Sequence, residues 1–106
     1  MKTVTLPPPE TQPIEDAIRR VLDPEFGISV WDLGLIYSVT IEETSIQIIM
    51  TLTSPYCPAG DVIMEGVRTA AAAEAGGLPV EVTLAWDPPW SPDLISATGR
   101  DQLGWK

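Results

Sequence analysis

Residues 45–53, Ser45-Ile46-Gln47-Ile48-Ile49-Met50-Thr51-Leu52-Thr53, alternate with a period of two. Ile46, Ile48, Met50 and Leu52 hold the even positions, so an extended backbone turns all four to one side. The stretch therefore reads as a strand with one face on a core. Leu33 to Ile41 repeats the pattern in its odd positions, Leu33, Leu35, Tyr37, Val39 and Ile41. Only Glu42-Glu43-Thr44 separates the two, which predicts an antiparallel hairpin, though the link lacks an Asn-Gly type of turn. Val80, Val82, Leu84 and Trp86 alternate likewise, predicting a third strand over 80–86 with Trp86 on its packed face.

Between the second and third strands, Ala59 to Ala75 reads as a helix. Ile63, Val67, Ala70 and Ala71 form its apolar stripe, Pro58 suits the first helical position, and Gly76-Gly77 ends it. A crossover of that length returns the chain parallel to the second strand, by a right-handed connection. Upstream, Ile14, Ala17, Ile18, Val21 and Leu22 fall at helical spacing, with Thr11 as N-cap and Asp23-Pro24 as the stop. Downstream, a short helix follows Ser96, contains Arg100 and Leu103, and stops at Gly104. The order is α-β-β-α-β-α. It predicts an α/β fold of the two-layer α+β type, a small mixed three-stranded sheet with helices on one face. Residues 1–10, with Pro7-Pro8-Pro9, are expected as an extended tail, and 11–106 as a single domain.

The 106 residues carry 6 Lys plus Arg against 15 Asp plus Glu, a formal charge of −9. Such a chain disfavours nucleic acid and anionic membrane surfaces, which need clustered cations. With no His, Ser-His and Cys-His catalysis and imidazole metal sites are excluded. With one Cys, no disulfide forms within the chain and no four-thiolate site is completed by one subunit. A lone free Cys suits a reducing compartment, and Met1 to Glu10 lacks the apolar core of a signal peptide, so a cytoplasmic protein is expected.

Topology gathers the chemistry. Parallel second and third strands end at one sheet edge, where the first strand begins, so three loops converge there. They are Asp23-Pro24-Glu25 through Asp32, Thr53-Ser54-Pro55-Tyr56-Cys57-Pro58, and Asp87-Pro88-Pro89-Trp90. Cys57 is the sharpest feature. Beside a helix N-terminus its thiolate would be favoured, for metal binding or attack on an electrophile; the alternative is a small buried hydrophobe. Thr53 and Ser54 offer hydroxyls to a sulfur or ligand, or else bond nearby backbone in a turn. Asp23 and Glu25 offer oxygen ligands or a partner contact, or else a helix stop and a solvated acid. Asp32 beside Gly34 is expected to organise the start of the first strand. Trp90 is either an exposed partner anchor or a lid on the last helix. Ile36 and Ile49, on the nominally polar face of the hairpin, suggest a self-association surface.

Asp23-Pro24-Glu25, Asp32-Leu33-Gly34-Leu35-Ile36-Tyr37, Thr51-Leu52-Thr53-Ser54-Pro55-Tyr56-Cys57-Pro58, Trp86-Asp87-Pro88-Pro89-Trp90 and Leu103-Gly104-Trp105 together resemble, in order and spacing, the metal–sulfur cluster biosynthesis family. That family includes SufT-like and PaaD-like proteins. The resemblance spans about Ile14 to Trp105 and implies an iron–sulfur assembly domain fold. It maps the family's reactive Cys onto Cys57, and its polar cluster onto Asp23, Glu25, Thr53 and Ser54. Ser54 stands where a second Thr is common and keeps a hydroxyl. PaaD-type proteins carry an additional Cys-rich C-terminal segment that the sequence through Lys106 lacks, so a stand-alone SufT-like role is expected.

The resemblance thus implies an accessory factor in iron–sulfur cluster assembly or delivery, not an enzyme, with Cys57 as thiolate ligand or sulfur carrier. The cofactor that the resemblance implies is an iron–sulfur cluster, either held transiently or absent from the isolated protein. The expected partners are iron–sulfur assembly proteins, client apo-proteins and a second copy in a homodimer. Two rivals stay open: a PaaD-like accessory subunit for phenylacetate ring oxidation, and an adaptor that binds no metal and docks through its acidic surface and Trp90. A Cys-dependent enzyme is disfavoured, because no His is present to serve as base.

Overall fold

The N-terminal helix forms where the apolar stripe is densest. In the computed structural model, which describes residues 12–53 and 59–104, α1 spans Gln12–Arg19 and buries Ile14, Ala17 and Ile18. It ends earlier than the stripe suggests. The N–H groups of Arg20 and Val21 reach back only three residues, to Ala17 and Ile18, the tighter geometry common in a closing turn. Pro24 demands extended backbone before it, and the chain complies from Leu22 onward. Leu22 pairs with Ser29 in an isolated antiparallel bridge and is 58% exposed, so it does not belong to the buried stripe. Thr11 and the expected tail over 1–10 lie outside the described residues.

The sheet has β2, Ile46–Met50, at its centre. β1, Ile36–Ile41, pairs with it antiparallel, and β3, Val80–Leu84, pairs with it parallel. This is the mixed three-stranded sheet expected from the periodicity. Ile46, Ile48 and Met50 are buried on one face, joined in the core by Ile14 and Ile18 of α1 and by Ile63, Val67 and Ala71 of the second helix. Burying one such aliphatic side chain is worth about 1.5–3 kcal/mol, so this layer dominates the stability.

Two details differ from strict alternation. The register slips between Ile36 and Ser38, leaving Tyr37 as the extra residue of a β-bulge. Ile36 therefore sits opposite buried Met50, on the core side, and packs against the hydrophobic cluster. It does not belong to the open face, which keeps only Ile49 of the expected pair. At the other edge, pairing ends at Met50 and Leu84, with one further bond from Ala85 N–H to the Met50 carbonyl. Trp86 lies past the last paired residue, where alternation no longer applies, and it is 44% exposed rather than packed.

Helix α2 spans Gly60–Ala73, with Ala59 as N-cap; Pro58, expected at the first helical position, lies outside the described residues. Gly60, Ile63, Val67 and Ala71 are its buried residues. The C-terminal segment makes a 3₁₀ turn at Pro92–Leu94 and then α3, Ala97–Leu103. The Ser96 side chain caps α3 by accepting from Gly99 N–H at 3.0 Å, and Gly104 ends it in the left-handed conformation. No helix among the described residues is long and apolar enough to cross a membrane.

Candidate functional site

A relay of backbone hydrogen bonds builds one edge of the sheet. Val30 N–H donates to the Val21 carbonyl, Leu35 N–H to Val30, Thr51 N–H to Leu35, and Ala85 N–H to Met50, at 2.8–3.0 Å. The base of the Asp23 loop, the lead into β1, the end of β2 and the end of β3 are thus tied side by side. Asp23 and Glu25 lie just beyond Val21, Thr53 just beyond Thr51, and Trp86 just beyond Ala85. The structure therefore gathers at one edge the described parts of the three loops that the sequence placed there. Ser54 and Cys57 lie outside the described residues.

Asp23 is 1% exposed. One carboxylate oxygen accepts from Glu25 N–H at 2.7 Å and from Phe26 N–H at 3.3 Å, the local turn that Asp side chains favour. Asp23 N–H donates to Ile28, and the Asp23 carbonyl accepts from Gly27 N–H at 2.7 Å. Asp23 thus holds the loop that presents Glu25, which is exposed. Removing the carboxylate strands two backbone donors in a part-buried turn. Asp23→Ala is expected to cost about 1–3 kcal/mol in urea unfolding, with most of it recovered in Asp23→Asn, which keeps the acceptor. An Asp23→Ala chain as stable as the parent would show that the turn does not need its side chain.

The Trp90 indole N–H donates to the Leu33 carbonyl at 2.7 Å, and the ring packs, half-buried, against the core cluster. Around it the C-terminal segment is strapped onto the lead into β1. Ser96 N–H donates to the Asp32 carbonyl and Ser96 Oγ to the Asp32 carboxylate, at 2.8 and 2.9 Å. Asp32 therefore does organise the start of β1, by holding a segment 64 residues away. Tyr37, released by the bulge, donates its hydroxyl to the Pro88 carbonyl at 2.7 Å. Trp90→Phe keeps most of the apolar contact but strands the Leu33 carbonyl, and should cost about 1–2 kcal/mol. Trp90→Ala should cost more, about 2–4 kcal/mol for a ring that is only partly buried. Thermal melting checks this; an unchanged midpoint in both variants would mean that the strap does not depend on the ring.

Thr53 is half-buried where the chain bends after β2. α2 begins with an N-cap, Ala59, that supplies no side-chain acceptor. Further along α2, Glu65 pairs with Arg68, and that hydrogen bond holds the Glu65 carboxyl below its ordinary range. Both groups are exposed, so the pair adds little to stability. Among the described residues no group of three or more Cys, Asp or Glu could hold a metal ion.

One feature escaped the sequence. Arg19 lies over the Trp31 ring, 4.5 Å from its centroid, beside a cleft of about 390 Å³ lined by Leu22, Phe26, Ser29, Asp32 and Gln102 among others. Those residues come from α1, the Asp23 loop and α3, so no local pattern could have announced them.

The family described as iron–sulfur cluster assembly protein matches residues 11–84, and the chain belongs to that family. Its relatives include an Fe-S protein maturation auxiliary factor of Porphyromonas gingivalis, 40% identical over 82% of this chain and 84% of that protein. The Fe-S protein maturation auxiliary factor SufT of Staphylococcus aureus is 39% identical over 79% of this chain and 97% of that one. An Escherichia coli protein, named as a component of a 1,2-phenylacetyl-CoA epoxidase, is 30% identical over 96% of this chain and 62% of that one. Among solved structures, a Bacillus anthracis domain of unknown function, DUF59, superposes with a TM-score of 0.83 at 31% identity, covering 92% of this chain and 94% of that one.

Proposed function

We propose that the chain is an accessory factor in the assembly of iron–sulfur clusters or their delivery to client proteins, acting without turnover of its own. Cys57 is its thiolate ligand or sulfur carrier, and Asp23, Glu25, Thr53 and Ser54 shape the surroundings. The observation that carries this reading is the family match over 11–84 together with the donor inventory, one Cys and no His in the whole chain. The cluster is cargo, and a single thiolate fits cargo better than a resident cofactor. Further ligands must come from a client Cys, a small-molecule thiol or a second copy of the chain.

The chain's own residues have separable tasks. Asp23 spends its carboxylate on the loop backbone, so it positions Glu25. Thr53 brings a hydroxyl to the end of β2. Ala59 leaves the first-turn amides of α2 without a capping oxygen from the N-cap, which favours an anionic sulfur on the preceding segment. Partners of this reading are assembly proteins and client apo-proteins. They meet exposed Trp86 and the part of Trp90 that its packing leaves open.

The adaptor reading keeps one support, because the best-placed carboxylate is already committed to structure. The higher identity to the maturation factors than to the epoxidase-named relative supports the SufT-like role over the ring-oxidation one. The experiment is complementation of a strain lacking this chain, scored by activity of an iron–sulfur client enzyme, with iron and sulfide measured on protein purified anaerobically. Complementation that does not depend on Cys57 would leave the adaptor reading.

A further inference from the structure

β3 lies at one side of the sheet, and no strand of the described residues pairs with its outer edge. In the parallel ladder with β2, the Pro79 carbonyl and the Ala85 N–H both face β2. Bonding in such a ladder uses every second residue, so Val80, Val82 and Leu84 direct their backbone N–H and C=O groups away from the sheet. No strand of the described residues takes them. The other outer strand, β1, carries the bulge at Tyr37, a common device for blunting an edge. β3 has neither bulge nor cation, and its five register pairs with β2 are regular. Its one charge is drawn aside, because Gln47 Nε2 donates to the Glu81 carboxylate at 3.1 Å from the β2 side.

We infer that two copies associate through antiparallel β3–β3 pairing about a two-fold axis at Val82, making one continuous sheet. In that register Val82 faces Val82 of the other copy and Val80 faces Leu84, each pair exchanging both backbone bonds. The outward-facing amides are then the ones satisfied. Glu81 falls opposite Thr83, so no like charges meet across the strands. Beside Val82, an open groove of about 340 Å³ lined by Asp61, Met64, Glu65 and Arg68 borders this edge, so no packed element covers it there. Because the pairing is antiparallel, the two carboxyl edges bearing Thr53 lie at opposite ends of the joint sheet. The dimer therefore does not merge the two candidate sites, and each must draw further cluster ligands from elsewhere.

The test is sedimentation equilibrium of the metal-free chain from about 0.01 to 1 mM, repeated in Cys57→Ser so that its outcome is independent of the thiolate reading. The expected result is a monomer–dimer equilibrium that tightens between about 0.05 and 0.5 M salt, since each copy carries −9. Thr83 is exposed on the open face, so replacing it should spare the fold, as circular dichroism will verify. Thr83→Glu sets it against Glu81 of the partner copy twice by symmetry, and should weaken the dimer by roughly 2- to 30-fold. Thr83→Lys creates attractive pairs and should tighten it. A chain that stays monomeric at the highest concentration and salt overturns the inference. So does a dimer that the two variants fail to move in opposite directions.

Discussion

Cys57→Ser should fold with a nearly unchanged melting curve and yet leave client maturation at the level of the empty deletion strain. The two side chains are close in shape, so the substitution opens little space. Its stability effect should stay near ~1 kcal/mol, rising only if the new hydroxyl finds no partner. Binding responds quite differently. Iron and sulfur prefer a soft, polarisable thiolate, whereas an alcohol stays protonated near neutral pH and offers a hard, weak donor. No other Cys and no His exists in the chain to substitute for it. Loss of function should therefore be near complete rather than graded. Circular dichroism melting, run beside the client-enzyme assay, separates the two effects. A folded Cys57→Ser chain that fully restores maturation would remove Cys57 from the mechanism.

The largest stability effect is expected from Gly34→Ala. Gly34 adopts φ +79°, and a Cβ there would lie 2.4 Å from the Leu94 carbonyl oxygen and 2.7 Å from the Leu94 Cβ. The left-handed backbone alone costs a non-glycine residue about 1–2 kcal/mol. The obstruction adds to this because it is backbone, which cannot rotate away. Relief requires lifting the strap that Trp90 and Ser96 hold against Leu33 and Asp32. The total should reach about 3–5 kcal/mol, a large share of the ~5–15 kcal/mol that stabilises a typical domain. Gly27→Ala is the control. Gly27 has φ +73° but nothing within 4 Å of the added methyl, so it should suffer the backbone term only. Equal melting points for the two variants would mean that the strap contact contributes nothing.

The strands and helices were legible because each carries a local period. Even positions of Ser45 to Thr53 bury Ile46, Ile48, Met50 and Leu52 as alternation requires, and Ser96 and Gly104 cap α3 as their chemistry suggests. Where alternation misled, a long-range geometric choice intervened. The bulge at Tyr37 turned Ile36 toward Met50, and the end of the β2–β3 ladder left Trp86 in solvent. Asp23 could be singled out as an acid beside Pro24, but whether it faced a ligand or its own loop depended on where the Glu25 and Phe26 amides would point.

The sequence by itself determined the order of elements, the apolar faces, the acidic charge and the donor set of one thiolate and no imidazole. Those are properties of residues and of near neighbours, and they survive any arrangement in space. Only the tertiary structure decided that Asp32 holds Ser96, that Trp90 closes on the Leu33 carbonyl, and that Arg19 meets Trp31 beside Gln102. It also decided that β3, not β1, presents the unblunted edge. Several of these contacts join positions more than fifty residues apart, and all of them turn on the direction of a backbone group or side chain. That direction is set by how the layers pack and carries no periodic signature along the chain.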